Sequence, residues 1–182
     1  MTYRHLWGLT GLCIMLLAIG CSTAPRTAEK KVTLEEKAAV TVQRFKQSDP
    51  SMSEYFFSKA VGYAVFPTVG KGAIGVGGAY GRGVLYEAGR VVGYCDLSQG
   101  SIGFQLGGQA YSEIIFFETA GALSDFKQGN LEFAAQASAV AASADASANA
   151  DYEHGVAVFT LAGQGLMYEA SIGGQRFTYQ AK

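Results

Sequence analysis

The sequence predicts a mainly β domain with flanking helices, an α+β chain whose strands form a compact antiparallel β-sandwich or small barrel. Three observations predict it. Apolar residues change from helical spacing to alternation near Val61. Thirteen of the 24 glycines fall between residues 69 and 111, among strand positions, where they let backbone or helix approach closely. Capping patterns before residue 60, and a glycine stop at 129, mark two N-terminal helices and one short internal helix.

Each element has its own signal. Thr33 and Glu36 form a capping box, and Leu34, Ala38, Val42 and Phe45 share one face of the helix that follows. Asp49-Pro50 stops it, because a residue before proline is pushed out of the helical region. Ser51 and Glu54 open a second short helix to about Lys59, with Phe56 and Phe57 directed to the core. Gly62–Phe66 reads as a strand ending at Pro67. Ile74, Val76 and Tyr80 alternate with small residues, as do Ile102, Phe104 and Leu106. Val84-Leu85-Tyr86 and Val91-Val92-Gly93-Tyr94 flank Ala88-Gly89, a hairpin turn. Tyr111–Phe117 is a strand, and Thr119–Lys127 a helix stopped by Gly129. Within 131–150 the first half is read as strand, and 145–151 as loop. Three strands, 155–160, 165–171 and 175–179, close the domain.

The N-terminus has a different character. Arg4 and His5 precede an apolar run from Leu6 to Ile19, and Leu17-Ala18-Ile19-Gly20 leads to Cys21. The order of charge, apolar centre and small residue is that of a secretory signal. This run of 14 residues falls short of the roughly 20 needed to cross a bilayer. A cysteine just after the small residue resembles the lipobox of bacterial lipoproteins, with Ala18 where the pattern usually has leucine. That resemblance implies a signal peptide over 1–20, a lipidated Cys21 and a flexible tether over 21–32. It also implies anchorage on the periplasmic face of a bacterial outer membrane, since no aspartate follows Cys21. The alternative is an ordinary signal cut near Gly20 and a soluble periplasmic chain. Residues 33–182 then form a single domain, with no internal boundary.

Charge is unevenly distributed. Residues 22–90 carry ten basic and six acidic side chains, and residues 91–182 carry three basic and nine acidic. A net charge near −2 beyond the leader lacks the strongly basic balance expected of a nucleic-acid binder. The basic half is the one joined to the anchor, where each cation near an anionic leaflet gains on the order of 1 kcal/mol. After Cys13 and Cys21, Cys95 alone remains, in an apolar run that marks it as a buried thiol rather than a nucleophile.

Catalytic patterns are weak. Gly70-Lys71-Gly72-Ala73-Ile74-Gly75 satisfies G-x-G-x-x-G, but strand pattern follows it where a dinucleotide site needs a helix N-terminus. His154 is the one histidine beyond the leader, and no G-x-S-x-G occurs. Glu87, Asp96, Glu113 and Glu118 do not select a catalytic pair by spacing. No enzyme activity, metal or cofactor is expected.

Several blocks resemble the SYLF, or lipid-binding SYLF, family. They are Gly62-Tyr63-Ala64-Val65-Phe66-Pro67 with Gly70-Lys71-Gly72, then Gly93-Tyr94 and 99–109 (QGSIGFQLGGQ), then Ile114-Ile115-Phe116-Phe117, then Gly165-Leu166-Met167-Tyr168-Glu169-Ala170. The likeness covers residues 34–180 and is nearest the bacterial lipoprotein branch. It implies one mostly β domain that binds membrane lipid without catalysis. Lys71 fits a basic position of the family pattern, and Arg82 lies close behind. With Arg90 they are the candidate headgroup-binding residues, joined by a basic helix face at Lys37, Arg44 and Lys46. The expected partner is anionic phospholipid. The rival is an envelope protein bound in place of lipid.

Overall fold

The computed structural model describes residues 27–74, 76–102, 109–131, 139–140, 147–162, 165–169 and 174–182. The first helix, α1, runs Ala28–Ser48, beginning six residues earlier than the Thr33 capping box indicates. The Thr27 hydroxyl caps it by accepting from the Lys30 amide at 3.4 Å. Ala28, Glu29, Lys30 and Lys31 are all good helix formers, so the helix extends back to that cap. Thr33 is an interior residue whose hydroxyl donates to the Glu29 carbonyl at 3.0 Å. The expected tether is therefore helical from Ala28. The signal segment 1–20 and Cys21 lie outside the described residues. Asp49 ends α1 as expected, and a π-helical turn at Ser53–Phe57 takes the place of the second short helix.

Eight strands follow: β1 (Gly62–Ile74), β2 (Val76–Glu87), β3 (Arg90–Ile102), β4 (Gln109–Phe117), β5 (Ala139–Val140), β6 (Val156–Ala162), β7 (Gly165–Glu169) and β8 (Gln175–Ala181). They form one sheet in the order β5-β7-β6-β4-β1-β2-β3-β8, with antiparallel neighbours throughout. Helix α2 (Ala120–Gln128) leaves β4 and stops at Gly129, whose φ of 73° is left-handed. Ala88 and Gly89 turn β2 into β3 with φ of 47° and 73°, the paired positive values of a type I′ hairpin. Pro67 does not end β1. Both ladders of β1 shift register around it, a bulge that spares the sheet a missing N–H donor. The G-x-G-x-x-G glycines accordingly lie on β1, with Gly75 itself outside the described residues. Of the 131–150 segment, the described part holds β5 and a 3-10 turn at Ser147–Asn149.

The expected mainly β, α+β class is what is observed. In place of the expected sandwich or small barrel, the strands form a single open sheet, strongly curled. The ring centroids of Phe66 on β1 and Phe177 on β8 are 6.0 Å apart, although three strand spacings would separate them by about 14 Å in a flat sheet. Gln175 Nε2 on β8 reaches Glu113 Oε2 on β4 at 3.2 Å, across four spacings, or about 19 Å if flat. Both faces are therefore packed. The inner face holds Ala64, Phe66, Leu85, Cys95, Leu97, Ile115, Phe117 and Phe177, closed by Leu123 and Phe126 of α2. Val65, Val84, Tyr86, Tyr94, Phe116 and Phe159 line the outer face, covered by Ala38, Val42 and Phe45 of α1 and by Phe56.

Glycine enables the curl at Gly83. A Cβ there would lie 2.7 Å from both Phe66 Cδ1 and the Val65 carbonyl oxygen. The Phe66 ring occupies the space that any side chain at 83 would need.

Candidate functional site

Helix α1 positions the cations that matter. Lys30, Lys37 and Arg44 recur every seven residues, about two helical turns, so they form a stripe along one flank roughly 21 Å long. All three are exposed, because the buried positions Ala38, Thr41, Val42 and Phe45 face the sheet. Facing the stripe across a furrow are residues of β1 and β2. One part of the furrow, about 380 Å³, is lined by Glu29, Lys30, Thr33, Leu34, Lys37 and Arg82. It adjoins a part of about 310 Å³ that shares Leu34, Lys37 and Arg82 and adds Thr68 and Tyr80. A third depression of about 160 Å³ holds Arg44 and shares Pro67 and Thr68. The furrow is thus walled by Lys30, Lys37 and Arg44 on the helix side and Arg82 on the sheet side, with Glu29 as an acid at one end.

Arg82 is held from below. Its Nε donates to the Tyr80 hydroxyl at 3.2 Å, and that hydroxyl donates to Asp96 Oδ1 at 3.2 Å. The register explains the triad. Tyr80 and Arg82 are two apart on one face of β2, and Asp96 of β3 stands directly opposite Arg82. Asp96 is nearly buried, at 7% exposure, whereas Tyr80 is 42% exposed. The Tyr80 hydrogen bond, reinforced by the nearby Asp96 charge, outweighs slight burial and raises the Arg82 pKa further above its usual value.

On its other flank α1 is clasped to the end of the sheet. Glu35 accepts from Lys182 Nζ at 2.8 and 3.1 Å and from the Tyr94 hydroxyl at 2.5 Å. Lys31 lies over the Tyr94 ring. Burial pushes the Glu35 carboxyl up, but the Lys182 and Tyr94 hydrogen bonds and the charges of Lys182 and Lys31 hold it below the usual range. Burial and then Glu35 push Tyr94 up to about 12. The helix wall of the furrow is therefore pinned by a clasp on the opposite flank.

Of the residues that the sequence selects, Arg82 lies in this furrow and Arg90 does not. Arg90 is exposed at the β2–β3 turn and pairs with Glu87, five residues along β2 from Arg82, or about 17 Å. Lys71 pairs with Ala79 and Gln109, an odd number of steps from Arg82 along β2, so the two register positions alternate; its side chain is outside the described set. Arg44 and Lys37 join the furrow, while Lys46 instead packs over the Phe57 ring. Lys30, Tyr80 and Asp96 are additions. The seven-residue spacing could have found Lys30, had the helix been extended back to Thr27.

The four acids considered for catalysis are dispersed. Glu87 pairs with Lys127, Asp96 with Tyr80, Glu113 is buried against Gln175, and Glu118 is exposed beyond β4. Cys95 is buried, and burial, with the Asp96 and Glu113 charges, pushes its thiol well above the usual range. Among the described residues no helix is long and apolar enough to cross a membrane.

Comparison with known proteins gives two findings. Residues 98–182 match the family model described as Ysc84, the Las17-binding protein actin regulator. That is the SYLF-type family resembled by the sequence blocks, and it is a family of binding domains. The chain is also similar to beta cell expansion factor A of Aeromonas veronii, at 27% identity over 157 residues, 84% of this chain and 59% of that protein. The chain therefore spans 59% of the length of that relative. The four cations of the furrow, Lys30, Lys37, Arg44 and Arg82, precede the segment matched by the family model.

Proposed function

We propose that this chain, whose second half is a match to the SYLF-type family, is a lipid-anchored envelope protein that binds anionic phospholipid headgroups without catalysis. The observation that carries the reading is the furrow, along which Lys30, Lys37 and Arg44 are spaced on the first helix, with Arg82 lining the part that holds Lys30 and Lys37. Headgroup phosphate is met by charge-assisted hydrogen bonds from such groups, Arg82 offering a fork and the lysines point charges. Cys21, lipidated on the bacterial outer membrane, would lie seven residues before Ala28, at most about 25 Å of extended chain. The furrow begins in the first turn of α1, so the anchor keeps it beside the leaflet. Each cation within a Debye length of an anionic surface adds on the order of 1 kcal/mol.

Flotation of the 22–182 polypeptide, which has no lipid, separates this activity from the anchor. Retention on vesicles containing phosphatidylglycerol, absent on phosphatidylcholine and lost in Lys37→Ala with Arg82→Ala, is the expected result. Equal retention on both vesicles, or none, rejects the reading. A second reading, docking of an envelope protein, is favoured by the exposed Val32 and Val40 on α1, 55% and 61% exposed. Co-purification of one protein in stoichiometric amount, abolished by Val40→Asp and not by Arg82→Ala, would select it.

A further inference from the structure

We infer that Tyr80 is a positioning residue for anion recognition, orienting Arg82 through a chain that ends on Asp96. The inference rests on the headgroup-binding reading and deepens it, from a diffuse basic surface to a fixed two-pronged site for a phosphate group.

The geometry supplies the reason. An arginine on an exposed strand face has several rotamers, and ordering it costs entropy when a ligand binds. Here Nε is already engaged by the Tyr80 hydroxyl at 3.2 Å, and the hydroxyl is fixed in turn by Asp96 Oδ1 at 3.2 Å. The proton order is set as well. Arg82 can only donate, so Tyr80 must accept from it, and its own proton goes to the carboxylate. With Nε committed, the two terminal nitrogens remain as a planar fork in a furrow that Arg82 lines together with Lys30 and Lys37. Two parallel N–H donors match two oxygens of one phosphate. Asp96 is fixed itself, standing on β3 directly across from Arg82 with 7% of its surface exposed. The whole chain is therefore built on strand register rather than on a loop, which suits preorganisation.

Tyr80→Phe tests it, because that variant removes one hydroxyl and no charge. The full chain in neutral detergent is titrated by calorimetry with dihexanoyl phosphatidylglycerol, and separately with inorganic phosphate. Positioning predicts that Tyr80→Phe weakens the headgroup about three- to tenfold, the loss of one hydrogen bond, with the salt dependence of binding unchanged. Arg82→Lys, which keeps the charge and lacks the fork, should lose at least as much. The decisive readout is coupling: in an Arg82→Ala background Tyr80→Phe should have no further effect. A purely structural role for Tyr80 would weaken binding in both backgrounds. Binding by the short-chain lipid alone assigns the site to headgroups, and equal binding by inorganic phosphate assigns it to phosphate in general; both preserve the positioning role. Unchanged affinity in Tyr80→Phe, with Arg82→Ala impaired, overturns the positioning inference and leaves headgroup binding standing. If wild type binds neither probe, the headgroup reading fails and this inference with it.

Discussion

Replacing Gly83 with alanine tests the curl that brings the two ends of the sheet together. The added methyl would lie 2.7 Å from Phe66 Cδ1, 2.8 Å from Cε1 and 2.7 Å from the Val65 carbonyl oxygen. Real methyl contacts are not that short, so something must move. The oxygen belongs to the β1–β2 ladder and cannot yield without breaking the pairing of Val65 with Val84. The ring is fully buried and packs on Phe177, so it cannot swing aside into open space. Overpacking of this kind costs about 1–3 kcal/mol, and at the middle of that range the folding constant falls roughly thirtyfold. Gly100→Ala is the control, since a Cβ at Gly100 meets nothing within 4 Å. It should be neutral or stabilise by up to about 1 kcal/mol through the unfolded chain. Urea titration followed by circular dichroism measures both midpoints. Equal shifts in the two variants, or an unchanged midpoint in Gly83→Ala, would mean that Phe66 does not lie across Gly83 and that the sheet is flatter than described.

Other consequences are as direct. The Glu35 clasp should make stability depend on acid. Its carboxyl is lowered on folding, so its contribution is complete above the unfolded value near 4.5 and is lost as pH falls through the lower folded value. Glu35→Gln should cost about 1 kcal/mol at neutral pH and flatten the stability profile below pH 5; an identical profile in the variant would refute the clasp. Cys95 should resist iodoacetamide in the folded chain and react fully in urea, because it is 2% exposed and its thiol is pushed well above the usual range. Peptide mapping that found it alkylated under native conditions would contradict its place on the inner face.

What was legible in the sequence follows from how local each signal is. The β2–β3 hairpin was readable because Ala88-Gly89 carries its own turn chemistry, and α2 because Thr119 and Gly129 bracket it. The start of α1 is not legible locally because two caps compete. Thr33 with Glu36 is the stronger pattern, but Thr27 lies beyond four further helix formers and takes the cap. Pro67 has the local signature of a stop, since nothing near it in sequence shows that both ladders of β1 shift register there. The curl depends on Glu113 meeting Gln175, 62 residues apart, and Asp49 is buried by accepting from the amide of Ser147, 98 residues away. No window of sequence contains such pairs. The furrow was half legible for the same reason. Lys37, Arg44 and Arg82 could be picked out by charge, but which of Lys71, Arg82 and Arg90 stands beside α1 is set by strand register and by how the helix crosses the sheet. Tyr80 has no signal of its own, being one aromatic residue among alternating strand positions.

The central claim is that lipid headgroups enter the furrow between α1 and β2, and amine footprinting of the lysines tests it most directly. The chain is combined with nanodiscs of phosphatidylcholine, with or without phosphatidylglycerol, and acetylation is measured lysine by lysine. Lys30 and Lys37 wall the furrow, whereas Lys59 is exposed beyond the π-helical turn, against the Tyr55 ring. Anionic lipid should protect Lys30 and Lys37 several-fold and leave Lys59 unchanged, and Arg82→Ala should diminish that protection. Equal protection of all three lysines, or protection of Lys59 alone, would contradict the account.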